Sequence, residues 1–184
     1  MNFFARFILA TLLGFAIAGL IHIGLIFSIP YLTHNSPYHL IKKLSPDGKP
    51  VTIPRNHPFY PPQSDPFITL AACPLNFNKG LMHITTKKSA VFQAVSIHNR
   101  FGKVIFSATD RAATSGLLDI VVGTPQDIEA YHKKYNDAED ALFRGLSVIM
   151  DEPEGYAVLR VLAHAPSYTH IAQETAQMFS CSPH

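Results

Sequence analysis

The chain has 184 residues, 47% of them hydrophobic and 15% charged, with a formal net charge of +2. Its basic residues form no cluster beyond Lys42-Lys43 and Lys87-Lys88, which argues against nucleic acid as a partner, since such partners need a concentrated basic face. No fixed-period repeat and no low-complexity tract is present.

From Phe7 to Ile29 runs an apolar stretch of about 23 residues without a charge, interrupted only by His22. At about 1.5 Å per residue it spans a hydrocarbon core of roughly 30 Å. Residues 7–32 therefore read as a transmembrane helix in contact with the lipid bilayer. Residues 1–6, with Arg6, read as a short cytoplasmic N-terminus. A cleaved signal is the competing reading, with Ala16-Ile17-Ala18 as its cleavage site. The run continues through Leu20, Ile21, Ile23, Leu25, Ile26 and Phe27, longer than a signal core needs, so an uncleaved anchor is favoured. Lys42, Lys43 and Lys49 near its far end favour a cytoplasmic domain by charge counting, but long domains often cross regardless of such charges. Ala10, Gly14, Ala18 and His22 recur at spacings of four and form a stripe that permits close helix–helix contact, either with a second copy or with another membrane protein.

Residues 33–64 read as a Pro-rich tether, because prolines at 37, 46, 50, 54, 58, 61 and 62 forbid a long helix. Tyr38–Leu44 is expected as two helical turns near the membrane surface, and Ser45-Pro46-Asp47-Gly48 as a turn. Phe59-Tyr60-Pro61-Pro62 is expected to pack on the domain.

Residues 65–184 read as one globular domain. Strands are expected over Phe67–Cys73, Leu81–Thr86, Val91–Ile97, Lys103–Ser107, Leu117–Val122, Leu142–Met150 and Tyr156–His164. Asn99-Arg100-Phe101-Gly102 links the third and fourth as a hairpin, and Asp151–Gly155 is a charged turn. Thr124 caps a helix over Gln126–Tyr135, and Ser167 caps a last helix carrying Ile171, Thr175, Met178 and Phe179 along one side. Irregular strand–helix alternation implies an α+β fold: a transmembrane helix, then one mainly antiparallel sheet with two short helices.

Cys73 and Cys181, the two cysteines, stand near the start of the sheet and the end of the last helix. An even count favours a disulfide in an oxidising compartment, and with it export of the domain; two free thiols in a reducing cytoplasm is the alternative. His98, Arg100, Asp110 and Arg111 are the candidate ligand-binding set, a carboxylate, guanidinium and imidazole near one sheet end. The bland reading is an ion pair that pins a loop. No catalytic residue, cofactor or metal is assigned: the ten histidines show no zinc spacing, and His164 and His170 merely flank a turn.

Asp65-Pro66-Phe67, Ala71-Ala72-Cys73-Pro74-Leu75, Phe92–Ile97, Gly102–Arg111, Leu118–Pro125 and Cys181 together resemble the small membrane-anchored members of the domain of unknown function 1254 family. The chain departs from the commonest form of that pattern at Gln93 and at Ala108-Thr109. The resemblance implies a bacterial inner-membrane protein with no established activity. It also implies a partner, because longer relatives continue into a second domain, 1214, that another polypeptide would supply here. The resulting expectation is a single-pass envelope accessory module with a periplasmic domain. The competing expectation is a small hydrolytic or ligand-binding domain using His98, Asp110 and Arg111.

Overall fold

The computed structural model describes residues 2–32, 36–57, 60, 65–113, 116–136 and 145–184. They form two compact units, residues 1–35 and 36–184. In the first, helix α1 runs over Phe3–Leu32, and an 18-residue window within its Phe3–Ile29 portion has a mean hydropathy of 2.3 with no buried residue. The helix already starts at Phe3, ahead of Arg6. Thr11 and Ser28 donate their hydroxyls back to Phe7 and Leu25 carbonyls at 2.9 and 2.8 Å, so neither needs an outside partner.

The second unit is α+β. Its described strands are β1 Val51–Ile53, β2 Ile68–Asn76, β3 Met82–Thr85, β4 Phe92–Asn99, β5 Val104–Thr109, β6 Asp119–Gly123, β7 Leu146–Ile149, β8 Glu154–Leu162 and β9 Ser180–Pro183. Its helices are α2 Pro37–Leu44, α3 Pro125–Asn136 and α4 Thr169–Gln177. The strands divide between two sheets rather than one. The first, ordered β1-β2-β8-β4-β5, is antiparallel throughout. The second, ordered β7-β6-β3-β9, is antiparallel except for the parallel pair β6–β7. A parallel neighbour needs a crossover, and the segment holding α3 provides it.

Strand alternation explains the core. Ala71, Cys73 and Leu75 of β2, Val95 and Ile97 of β4, and Ala157, Leu159 and Val161 of β8 share one buried cluster with Met82 and Ile84 of β3, Ile120 and Val122 of β6, and Val148 of β7. The two sheets thus share one core. The intervening β2 and β8 residues Leu70, Ala72, Tyr156 and Val158 are buried too, against Tyr38 and Ile41 of α2. This double burial is why these strands read as continuous apolar runs. On the second sheet, Ile128 and Tyr131 of α3 cover Val121.

The segment expected as a tether is, in its described residues, part of the domain. Ser36 caps α2 by accepting from the His39 N–H at 3.4 Å, with Pro37 in the first turn, where its missing donor is harmless. Tyr38 is 1% exposed, β1 adds a strand beside Leu70–Ala72, and Tyr60 is buried. Prolines punctuate this stretch without freeing it. Phe59, Pro61 and Pro62 lie outside the described residues, as does the 142–144 portion of the strand expected before Met150. Pro74 is tolerated inside β2 because β1 pairs only as far as Ala72, leaving that side of the strand open.

Two local expectations change. Cys181 does not end the last helix; it lies in β9, paired with Ile84. Ser167 does not cap α4: Pro166–Tyr168 forms a tight 3₁₀ turn instead, and the helix follows from Thr169, whose hydroxyl donates to the Pro166 carbonyl at 2.8 Å.

Candidate functional site

The β4–β5 hairpin turns at Asn99–Gly102, where Gly102 takes a positive φ of 91°. The Asn99 side-chain carbonyl accepts from the Phe101 and Lys103 N–H groups at 3.1 and 2.9 Å, which fixes the turn. Its amide donates to Glu152 at 2.7 Å, tying the turn to the connection before β8. Next to it His98 is buried, with its ring stacked on Tyr156 at 4.7 Å and an interplanar angle of 2°.

One chain of donors assigns the tautomer. Arg160 donates to Ser96 Oγ at 2.9 Å, Ser96 donates to His98 Nε2 at 2.9 Å, and His98 Nδ1 donates to the Gly102 carbonyl at 3.3 Å. Burial holds the imidazole below its ordinary value and the Arg160 charge adds to this, against the opposing bond to Gly102. His98 is thus a neutral link in a satisfied network, with no free lone pair for a ligand.

Arg100 lies 3.8 Å from Glu154, beside Lys42 at 3.3 Å, and its guanidinium sits 5.4 Å from the Phe101 ring centroid. Partial burial of Glu154 favours its protonated form. Hydrogen bonds from Tyr38 and Lys42, with the charges of Lys42 and Arg100, outweigh that and lower its pKa. This ion-pair group joins α2, the hairpin turn and the start of β8. The charged turn expected over Asp151–Gly155 is shorter, since Glu154 already begins the strand.

Asp110 and Arg111 are elsewhere. Val104 pairs with His98, whereas Thr109 pairs with Ala94, so β5 carries the chain to the far end of the hairpin. Four residues along β4 amount to roughly 13 Å. The expected constellation of His98, Arg100, Asp110 and Arg111 is therefore not assembled, because an antiparallel return strand separates residues that are close in sequence. Asp110 opens a 3₁₀ turn over Asp110–Ala112, Arg111 is exposed, and Asp110 Oδ1 is buried without a hydrogen bond among the described residues.

A polar pair absent from the sequence expectations lies on the outer face of the second sheet. His83 Nε2 meets Asp119 Oδ1 between β3 and β6. The His184 ring stands 5.9 Å from that of His83 and 5.4 Å from that of Tyr131. No sequence spacing links residues 83 and 119. Only the register that sets Thr85 opposite Asp119 brings them together; the one visible signal was a polar residue on the outward phase of a strand. Ser182 stands opposite His83 in β9, but no hydrogen bond joins them among the described residues, so a nucleophile relay is not built. No group of three or more metal-ligating side chains occurs among the described residues. His164 packs on the Tyr168 ring at 3.9 Å.

Cys73 of β2 and Cys181 of β9 are paired at disulfide distance, with Cα atoms 6.6 Å apart, joining the two sheets. In α1, Ala10, Gly14, Ala18 and His22 are all exposed, and a Cβ added at Gly14 would meet nothing within 4 Å.

No family model matches the chain, and no curated protein does. Among solved structures, the VPA0106 protein from Vibrio parahaemolyticus matches with a TM-score of 0.52 and 8% identity, over 79% of this chain and 34% of that one. An uncharacterised protein from Burkholderia cenocepacia matches with a TM-score of 0.42 and 10% identity, over 71% of this chain and 36% of that one. At 8% identity the first likeness establishes a shared fold and nothing further. The chain spans about a third of the length of either structure.

Proposed function

We propose that this chain is a single-pass inner-membrane protein of the bacterial envelope, anchored by an uncleaved α1, with its 36–184 domain exported as a non-enzymatic accessory module. The observation that carries this reading is the Cys73–Cys181 pair, the chain's two cysteines joined across the two sheets. Such bonds persist in oxidising compartments and are rare in the cytoplasm. An apolar helix with no buried residue supports the anchor half of the reading, because so much apolar surface is stable only in lipid or against a partner.

The accessory role rests on two further points. The residues singled out for ligand chemistry at the hairpin are engaged in ties within the domain. The chain matches about a third of a longer folded protein, which fits a partner polypeptide supplying a second domain, as the likeness to the domain of unknown function 1254 family implies. The small-residue stripe of α1 is the membrane surface where that partner, or a second copy, would sit.

The test is labelling of the membrane-embedded chain with a large maleimide under denaturing conditions, with and without prior reduction. Labelling of both cysteines only after reduction, with no intermolecular adduct, supports the paired, exported domain. Free labelling without reduction overturns export and returns weight to Lys42, Lys43 and Lys49 as cytoplasmic markers.

A further inference from the structure

A cavity of about 210 Å³ opens between β1, the start of β2 and α4, away from every residue considered above as a site. Its walls divide by chemistry. Ile53, Ile68 and Tyr60 form an apolar floor, and Ile53 and Tyr60 are each 8% exposed. Arg55, Thr52, Gln173 and Gln177 supply the polar side. Gln173 and Gln177 are four residues apart on α4, so one helix face presents both amides.

The polar groups there have unused capacity. Arg55 donates to the Ile68 carbonyl at 3.4 Å, a long bond, and has no carboxylate partner among the described residues. The Tyr60 hydroxyl takes the same carbonyl. The side chains of Thr52, Gln173 and Gln177 make no hydrogen bond among the described residues. One guanidinium and two amides thus share a cavity lining with apolar side chains, the pattern of a small-molecule site.

We infer that this cavity binds a small organic carboxylate with an apolar body. A guanidinium holds a carboxylate through two parallel hydrogen bonds. One positive charge matches a monoanion and undercharges a phosphate dianion. The apolar floor requires a hydrocarbon or aromatic body. The volume lies below the roughly 300–1,000 Å³ of sites for drug-sized ligands, which limits that body to about one ring or a short chain.

The experiment is a fluorine NMR titration of the full chain in lipid nanodiscs with 4-fluorobenzoate and, separately, 4-fluorobenzamide, with empty nanodiscs as the blank. The expected result is saturable binding of the benzoate, with the benzamide weaker by about tenfold, the advantage of a charge-assisted pair. Arg55→Gln brings the two within about twofold. The double variant Gln173→Leu/Gln177→Leu weakens the benzoate while keeping its preference over the benzamide. Unchanged circular dichroism of each variant establishes that it folds. No saturable binding beyond empty nanodiscs, or a preference that survives Arg55→Gln, overturns the proposal.

Discussion

Reducing the Cys73–Cys181 bond is the perturbation with the largest predicted effect. The two residues are 108 positions apart, and their sheets are otherwise joined by packing and loops. Chain-entropy reasoning assigns a closed loop of that size about 4.7 kcal/mol of stabilisation through the unfolded state. Domains of ordinary size are stable by about 5–15 kcal/mol, so the bond is worth a third or more of the total. With a urea m-value of about 2 kcal/mol/M, reduction lowers the unfolding midpoint by roughly 2 M. Comparing oxidised and reduced wild-type protein avoids truncating Cys73, which is fully buried. The chain has no Trp and 7 Tyr, all but Tyr31 within residues 36–184, so near-ultraviolet tyrosine signals follow chiefly the domain rather than α1. Coincident midpoints for the two forms would refute the cross-sheet clasp.

Tyr38→Ala should cost about 3–5 kcal/mol, the price of emptying a buried aromatic site, and should make residues 36–53 protease-sensitive; a free tether would show neither effect. Gly155→Ala should cost about 1–3 kcal/mol, because the new Cβ falls 2.5 Å from the His98 carbonyl oxygen, which the β4–β8 ladder holds in place. At Gly123 the new Cβ meets the end of the Leu81 side chain, which can swing aside, so Gly123→Ala should cost less than Gly155→Ala in the same melts. His98 has its folded pKa lowered from an ordinary value of 6.5, so its contribution to stability is fully present above pH 6.5 and is lost as pH falls through the folded value. Urea midpoints should therefore decline on acidification below pH 6.5, and His98→Gln should flatten that decline. Glu154, also lowered, adds a separate loss of stability at pH below 4.5, which Glu154→Gln removes.

The strands, the β4–β5 hairpin and the Thr124 cap were legible because each is written in local chemistry: alternation, an Asn-to-Gly turn, and a hydroxyl three residues before Asp127. The Asp127 N–H does reach Thr124 Oγ1, at 3.3 Å. The split into two sheets was not legible, because both faces of β2 and β8 are covered and a doubly buried strand gives no sign of which neighbour it faces. The tether was misread for a related reason. The two helical turns expected at Tyr38–Leu44 form as α2, but prolines exclude neither the packing of that helix on the sheet nor a three-residue edge strand. β9 was hidden because Ser180–Pro183 carries no β-rich pattern; its pairing with β3 is set by the clasp and the register.

Residue type was a poor guide to the site, and unused bonding capacity is a better one. His98 and Arg100 attracted attention as an imidazole and a guanidinium beside a turn, yet each is consumed internally, by Ser96 and Gly102 in one case and by Glu154 in the other. Asn99, which carries no charge, does more to hold that turn through its three hydrogen bonds. Arg55 drew no notice in a proline-rich stretch, but its one hydrogen bond among the described residues is a long one to a carbonyl that Tyr60 already occupies. A donor that folding leaves unspent costs little at an exposed position, so its presence at a surface proves nothing alone. What distinguishes Arg55 is company: the Gln173 and Gln177 amides of α4 and the apolar side chains of Ile53, Ile68 and Tyr60 line the same cavity. Folding has placed side chains from three elements around one space without using them on each other, and that is where a ligand gains most from arriving.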